Sequence, residues 1–227
     1  MRSLLPPVLD QGQRGTCVAF AVTAAHEVAR AAGKAVAEDL SEEALFWGCK
    51  IVDGNWKSGT SFRSAVAAIG TTGQPLEAIW PYDPRRAAGT RYDPPSKPTA
   101  YWHKSGLGQA SSDLASVRAE IDAGHPIVLG LTVFDTLFIP TPAGRIDAPA
   151  AGAPARGRHA VLGVGHNADA LLIRNSWGTT WALGGYGWLS NDYAERHIRE
   201  VWVIQSRIQG VAPSSGARRT GDVYESH

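Results

Sequence analysis

The chain has 227 residues, with 22 Lys and Arg against 21 Asp and Glu, a formal net charge of +1, and 44% hydrophobic against 19% charged residues. At roughly 150 residues per domain this is one large domain or two intimate halves, and folding should bury about 70% of the extended chain's surface. The balance excludes a disordered chain and lacks the basic footprint of a nucleic-acid binder. No apolar run approaches the ~20 residues of a membrane span, and two cysteines, Cys17 and Cys49, exclude a disulfide-stapled scaffold. The start, Met1-Arg2-Ser3-Leu4-Leu5-Pro6-Pro7, is too short and proline-rich for a signal peptide.

In chain order, the first half reads helical. Val18–Ala32 is rich in Ala, Val and Phe, has no internal Gly or Pro, and predicts a helix stopped by Gly33. Ser41 as N-cap, with Glu42 and Glu43 in the first turn, predicts a second. Ser61–Ile69 predicts a third, closed by Gly70-Thr71-Thr72-Gly73, and a loop then runs through Trp80-Pro81-Tyr82 to Pro98. Ser112–Ala123 predicts a late helix ended by Gly124. Beyond it the pattern changes to short strand-like runs at Pro126–Phe134, His159–His166, Leu171–Ser176, Gly185–Leu189 and Val201–Ser206. Pro140–Arg158 reads as a loop, and Pro213–His227 as a polar, frayed tail. No repeat is present. A helical half followed by a half of mostly antiparallel strands predicts an α+β fold with a cleft where the halves meet.

Three residues suggest chemistry. Cys17 follows the polar loop Gln11-Gly12-Gln13-Arg14-Gly15-Thr16 and opens the first helix. The positive end of the helix dipole there favours the thiolate; the plain alternative is a buried core cysteine. A thiolate nucleophile needs a base. Of seven histidines, His159 starts an apolar strand beside glycine, whereas His26 and His166 fit core or surface roles. A base must in turn be oriented by a third group. Asn175, in Arg174-Asn175-Ser176-Trp177, can fix one imidazole nitrogen, with Trp177 and Trp181 shielding the bond from water. Each has a structural alternative, a satisfied core histidine and a glycine-rich turn with core tryptophans. Together, the order Cys, His, Asn with a long first gap and a short second one is the pattern of a thiol acyl-transfer site.

The blocks Gln11-Gly12-Gln13-Arg14-Gly15-Thr16-Cys17-Val18-Ala19-Phe20, Leu40-Ser41-Glu42-Glu43, Arg158-His159-Ala160-Val161, Asn175-Ser176-Trp177-Gly178 and Gly184-Gly185-Tyr186-Gly187 resemble those of the papain-like cysteine peptidases, in family order from about residue 8 to 207. The resemblance implies a two-subdomain fold: a helical half over about 8–110, and a β-barrel-like antiparallel half over about 111–207. A peptidase domain over 1–210 would then be followed by a flexible tail, 211–227. It implies Cys17 as nucleophile, His159 as base and later acid, and Asn175 as its orienter. Gln11 would join the Cys17 backbone N–H in the oxyanion hole. It also implies Gly59 and Thr60 as the stretch that pairs with an extended peptide. Phe62, Gly130 and Ala160 would wall the pocket for the side chain second before the cleaved bond, with Trp177 beside His159. Those wall residues carry no charge, so an apolar side chain is expected there, unless Glu195 reaches the pocket floor.

The chain departs from that pattern in places. Arg14 stands where the family has a cysteine bridged to the second helix, so Cys49, the counterpart of its partner, is expected as a free thiol. Val18 replaces an aromatic residue, and Arg158 stands before His159, where its charge would lower the imidazolium pKa if it points at the ring. Only 16 residues precede Cys17, too few for the family's inhibitory propeptide. The missing disulfides imply a reducing compartment, the cytoplasm of a bacterium, with a secreted effector as the alternative. The reading is an endopeptidase acting on peptide or protein substrate, with no metal, no cofactor, no nucleic acid and no membrane partner. A controlling protein partner is left open. The alternatives are an acyltransferase, a transglutaminase-like enzyme or an isopeptidase on the same site, or a catalytically silent peptide-binding module.

Overall fold

A computed structural model describes residues 2–31, 37–95, 97, 102–205 and 223–224. After a 3₁₀ turn, Arg2–Leu4, the helical half is built by α1 (Cys17–Arg30), α2 (Glu42–Asp53) and α3 (Phe62–Thr71). In α1 every residue from Cys17 to Val28 is buried. A helix without a polar face belongs inside a protein, and α1 lies between α2 and α3 on one side and the sheet on the other. It ends at Arg30 with Ala31 as C-cap; Gly33, expected as its stop, lies outside the described residues. The expected cap forms at α2, where Ser41 accepts from Ala44 N at 3.0 Å; Ser61, expected as the first residue of the third helix, is instead its cap and accepts from Ser64 N at 3.2 Å. Each satisfies one of a helix's orphan donors.

The second half comprises β1 (Gly106–Ala110), α4 (Leu114–Asp122), β2 (Ile127–Val133), α5 (Asp135–Phe138), β3 (Arg145–Ile146), β4 (Gly157–His166), β5 (Ala170–Arg174), β6 (Tyr186–Ser190), α6 (Asn191–His197) and β7 (Ile198–Gln205). The strands form one sheet in the order β1-β7-β2-β4-β5-β6-β3, antiparallel except for β3 against β6. Among the described residues β1 and β3 stand at opposite ends, so the sheet is open rather than closed into the expected barrel-like form. The late helix, expected from Ser112, begins at Leu114 with Asp113 as its cap. The presumed loop 140–158 contains β3 and the start of β4, and β1 belongs to the sheet although it precedes residue 111. The register matters for the site: Gly130 of β2 sits opposite Ala160 of β4 on one side and Glu200 of β7 on the other. Directly opposed residues share a face, so these three form a row across the sheet.

Charged side chains are buried where α1 and α2 meet the neighbouring loops. Glu27 accepts from Leu40 N at 2.9 Å, and burial pushes its carboxyl up to about 8. Burial likewise raises Glu77 to about 7 and Glu42 well above its ordinary value. A carboxyl protonated in the fold but ionised near 4.5 in the unfolded chain contributes stability that is full below 4.5 and lost as pH rises through the folded value. His26, lowered to about 4 by burial, works the other way, its share being lost as pH falls from 6.5 through 4. Above pH 6.5 the acids therefore dominate. We expect the melting temperature to fall between pH 6.5 and 8.5. Glu27→Gln, whose amide oxygen can still accept from Leu40, should flatten that fall in calorimetry at both pH values. An unchanged fall would show that Glu27 ionises normally in the fold.

Candidate active site

Cys17 is the first residue of α1 and is fully buried, as is Gln11. The N-cap Thr16 makes no side-chain cap bond, and the first N–H groups of a helix have no intrahelical partner. The Ala160 N–H points at the Cys17 sulfur, which places the thiol beside β4 one residue from His159. The loop before Cys17 is tightly braced. Gln11 Nε2 donates to Arg14 O at 2.7 Å, and its Oε1 accepts from Ser176 Oγ at 2.6 Å. Tyr82 Oη donates to Gln11 O at 2.7 Å and stands 2.8 Å from Thr16 Oγ1.

On the sheet side, His159 Nε2 and Asn175 Oδ1 are 2.6 Å apart, which makes Nε2 the protonated nitrogen. Nδ1 is buried and finds no partner among the described residues, so the unprotonated nitrogen is the one left to face a proton donor. Asn175 Oδ1 also accepts from Ser176 N at 2.8 Å. Trp177 lies against the His159 ring at 4.6 Å and stacks on Phe138 at 5.1 Å, with Trp181 edge-on at 6.0 Å. The expected aromatic cover over the His159–Asn175 bond is therefore present. The halves are joined at this point, since Gln11 N donates to Ser176 O at 2.8 Å and Gly178 N to Leu9 O at 3.1 Å. A water-sized cavity of about 20 Å³ behind Asn175 is lined by Glu42, Arg174 and Asn175. The Oε2, Nη1 and Nδ2 of those residues have no hydrogen-bond partner among the described residues.

The charge state differs from the sequence expectation. The helix N-terminus was expected to favour the thiolate. Instead, complete burial pushes the Cys17 thiol up to about 12, and the N–H of Ala160 does not offset it. Burial lowers His159 to about 4, against the smaller opposing effect of Asn175. Burial thus favours the neutral form of each group. Arg158 plays no part in the His159 shift; its guanidinium reaches the Tyr224 hydroxyl.

The other expected residues gather along a cleft wall. Gly59 and Thr60 are buried, and a Cβ on Gly15 would lie 2.5 Å from Gly59 N, so the nucleophile loop packs directly on this stretch. Lys50 Nζ donates to Gly59 O at 2.8 Å and to Asp53 Oδ2 at 2.9 Å, and Thr60 Oγ1 donates to the same carboxylate oxygen at 3.0 Å. Phe62 and Ala160 are buried in one apolar cluster with Cys17, Trp202 and Tyr224. Glu195 is not at the pocket floor; it lies exposed on α6. The carboxylate that does stand beside Gly130 is Glu200, opposite it on β7, with Oε2 accepting from Trp202 Nε1 at 3.0 Å. Sequence reasoning missed Glu200 because only strand register brings it there.

Arg14 and Cys49 explain each other. Cys49 is a buried, unbridged thiol, as expected, and so is Cys17. Arg14, 2% exposed, forks onto both carboxylate oxygens of Glu43 on α2 at 2.5 and 2.7 Å. Its guanidinium also lies over the rings of Tyr82 and Tyr92. A bidentate ion pair thus ties the nucleophile loop to the second helix without a disulfide.

A sulfur and an imidazole so held are the means of cysteine-dependent acyl transfer, which places the protein in the class of cysteine hydrolases. Within that class it belongs to the papain family of cysteine proteases, which residues 1–205 match. It is similar to xylellain, a cysteine protease from Xylella fastidiosa, at 27% identity and a TM-score of 0.75 over 90% of this chain and 85% of that one. Cysteine proteinase 3 of Entamoeba histolytica is 28% identical over 84% of this chain, and digestive cysteine proteinase 2 of Homarus americanus 29% identical over 82%. The chain spans 61% and 58% of the length of these two relatives. Among the described residues no helix is long and apolar enough to cross a membrane, and no group of three or more His, Cys, Asp or Glu side chains could hold a metal ion.

Breaking a buried ion pair by removing one partner leaves the other charge uncompensated, at about 3–5 kcal/mol. Arg86 Nη1 stands 4.0 Å from Glu43 Oε2 and softens that loss. We expect Arg14→Met to destabilise the protein by about 3 kcal/mol in urea unfolding, and Arg14→Met with Glu43→Leu to recover most of it. Dithiothreitol should leave the melting curve of the unsubstituted protein unchanged. A curve shifted down by reductant, with a mapped Cys17–Cys49 bridge, would contradict the ion pair as the tie.

Proposed function

We propose that the protein is an endopeptidase that cleaves peptide bonds through a thioester on Cys17. The observation that carries this is the aligned pair at the sheet: His159 held through Nε2 by Asn175, with Nδ1 unpartnered beside the residue that contacts the Cys17 sulfur. In the reaction His159 Nδ1 takes the thiol proton and the sulfur attacks the carbonyl carbon. In this reading the oxyanion is stabilised by the Cys17 N–H and the Gln11 side-chain amide. His159 then gives its proton to the leaving amine as the C–N bond breaks. Water, deprotonated by His159, attacks the thioester, and the acid leaves as the sulfur recovers the proton. One oxyanion donor is worth about 2.7–4 kcal/mol, and the bracing of Gln11 by Arg14 O and Ser176 suits that role. Peptide or protein substrate is supported by the protease relatives and by the backbone of Thr60, which pairs antiparallel with Tyr224 as it would with an extended peptide. An unbridged Cys49 and an ion pair in place of a disulfide support work in a reducing compartment such as the cytoplasm. The acyltransferase and isopeptidase readings share the same chemistry, and no observation on the cleft favours them.

Two measurements test the reading. Cys17→Ala should abolish turnover of a fluorogenic peptide. Asn175→Ala should leave measurable turnover at reduced kcat, because orientation is only part of the roughly 10²–10⁴-fold that general acid–base work supplies. Full kcat in a folded Asn175→Ala protein would remove Asn175 from its role. Peptide mapping after iodoacetamide at neutral pH should find Cys17 labelled faster than Cys49, since Cys17 lies against Ala160, the residue next to His159, the base of the proposed reaction. Faster labelling of Cys49 would overturn Cys17 as nucleophile.

A further inference from the structure

Of the tail expected to be frayed, only Val223 and Tyr224 are described, and Tyr224 is fully buried. It lies in the cleft. Its backbone pairs antiparallel with Thr60, Tyr224 N donating to Thr60 O at 2.9 Å. Its ring packs on Phe62 at 4.9 Å. Its hydroxyl donates to Glu200 Oε1 at 2.8 Å. Beneath the ring is Gly130, where a Cβ would fall 2.3 Å from Tyr224 Oη and 2.7 Å from Cζ. Backbone pairing along an edge, with one side chain dropped into a pocket, is how an extended peptide is read. Every residue touching Tyr224 in this way belongs to the stretch or the pocket proposed above for substrate.

We propose that the chain's own C-terminal segment is a ligand of its peptide cleft, with Tyr224 filling the specificity pocket and its hydroxyl read by Glu200, so that the protein holds itself in a substrate-excluding state. The occupant is this chain's own segment acting in cis. Seventeen residues, 206–222, separate β7 from Val223 in the sequence, and a chain of that length can reach up to roughly 60 Å. The same pocket accepts a tyrosyl side chain from a substrate: the ring fills the space Gly130 leaves, and Glu200 takes a donor at its tip.

The kinetic arm of the test rests on the peptidase reading, and the binding arm does not. In the first, full-length protein and Tyr224→Ala are compared on a fluorogenic dipeptide. A competitor in cis lowers the open fraction, so Tyr224→Ala should lower KM about tenfold with kcat unchanged. Tyr224→Phe, which keeps the ring but not the bond to Glu200, should fall between them; it also carries the test if Tyr224→Ala does not fold. In the second, both proteins carry Cys17→Ala, and a fluorescein-labelled peptide of residues 222–227 (Asp-Val-Tyr-Glu-Ser-His) is titrated by anisotropy. Its binding should tighten about tenfold when Tyr224 is replaced. Unchanged KM in an active Tyr224→Ala enzyme, or unchanged peptide affinity, would overturn the proposal. So would a KM effect that grows with enzyme concentration, which marks a second copy as the occupant. Tightened peptide binding with no hydrolysis by any variant would leave the plug standing and remove the peptidase.

Discussion

Between the loop bearing Gln11 and Cys17 and the second helix, the chain sets a buried guanidinium on a buried carboxylate. The alignment of the site depends on that contact. Arg14 is fixed by its side chain to Glu43 and by its carbonyl to Gln11 Nε2, so one residue couples the helix packing to the oxyanion side of the cleft. Tyr82 closes the arrangement from above, its ring against the guanidinium and its hydroxyl on Gln11 O. The ion pair stands where a disulfide would, and its planar fork, engaged through Nη1 and Nη2, sets an orientation across the contact. The buried charges are tolerated because each oxygen of Glu43 has a donor and the aromatic faces cover the cation.

The loop thus set on the helices must also be set against the sheet, since Cys17 and His159 come from opposite halves. The short pairing of residues 9–11 with 176–178 does this through backbone alone. It carries Gln11 to one side and Asn175 to the other within a few residues, so the two side chains proposed for the oxyanion and for orienting the base share one ladder. Ser176 reinforces the link from both directions, donating from its N–H to Asn175 and from its hydroxyl to Gln11. A shift of one half against the other therefore moves the catalytic groups together rather than apart.

What could be read from the sequence follows from how local its causes are. The helix α2 announces itself through Ser41, whose cap acts within three residues, and α3 through the run before Gly70-Thr71-Thr72-Gly73. Cys17, His159 and Asn175 stood out by residue type and chain order. The strand β1 did not, because Gly106-Leu107-Gly108-Gln109-Ala110 has no β-branched residue and becomes a strand only by pairing with β7. Glu200 was hidden for the same reason: its place opposite Gly130 is decided by a register between strands some seventy residues apart. The burial of Cys17 was not legible either: a helix terminus is visible in a sequence, whereas the complete burial that opposes its effect on the thiol is a property of the assembled cleft.

That burial and the occupied pocket belong to one argument. With Tyr224 seated, the apolar cluster runs unbroken from Phe62 and Trp202 to Ala160 and Cys17. In such surroundings a thiolate–imidazolium pair loses most of its hydration, and the neutral forms are favoured. Reactivity at Cys17 then requires more than the right neighbours: it requires polar groups at the cleft to replace the lost water. An incoming peptide brings them, since its carbonyl and amide enter beside the sulfur as its side chain takes the pocket. The tail residue supplies the pocket contact and the pairing with Thr60, yet no scissile amide has to accompany them at Cys17. Gly130 makes both outcomes possible. By carrying no side chain it opens a space large enough for an aromatic ring over Glu200, and the geometry that gives the cleft a selective pocket is what allows the chain's own tyrosine to fill it.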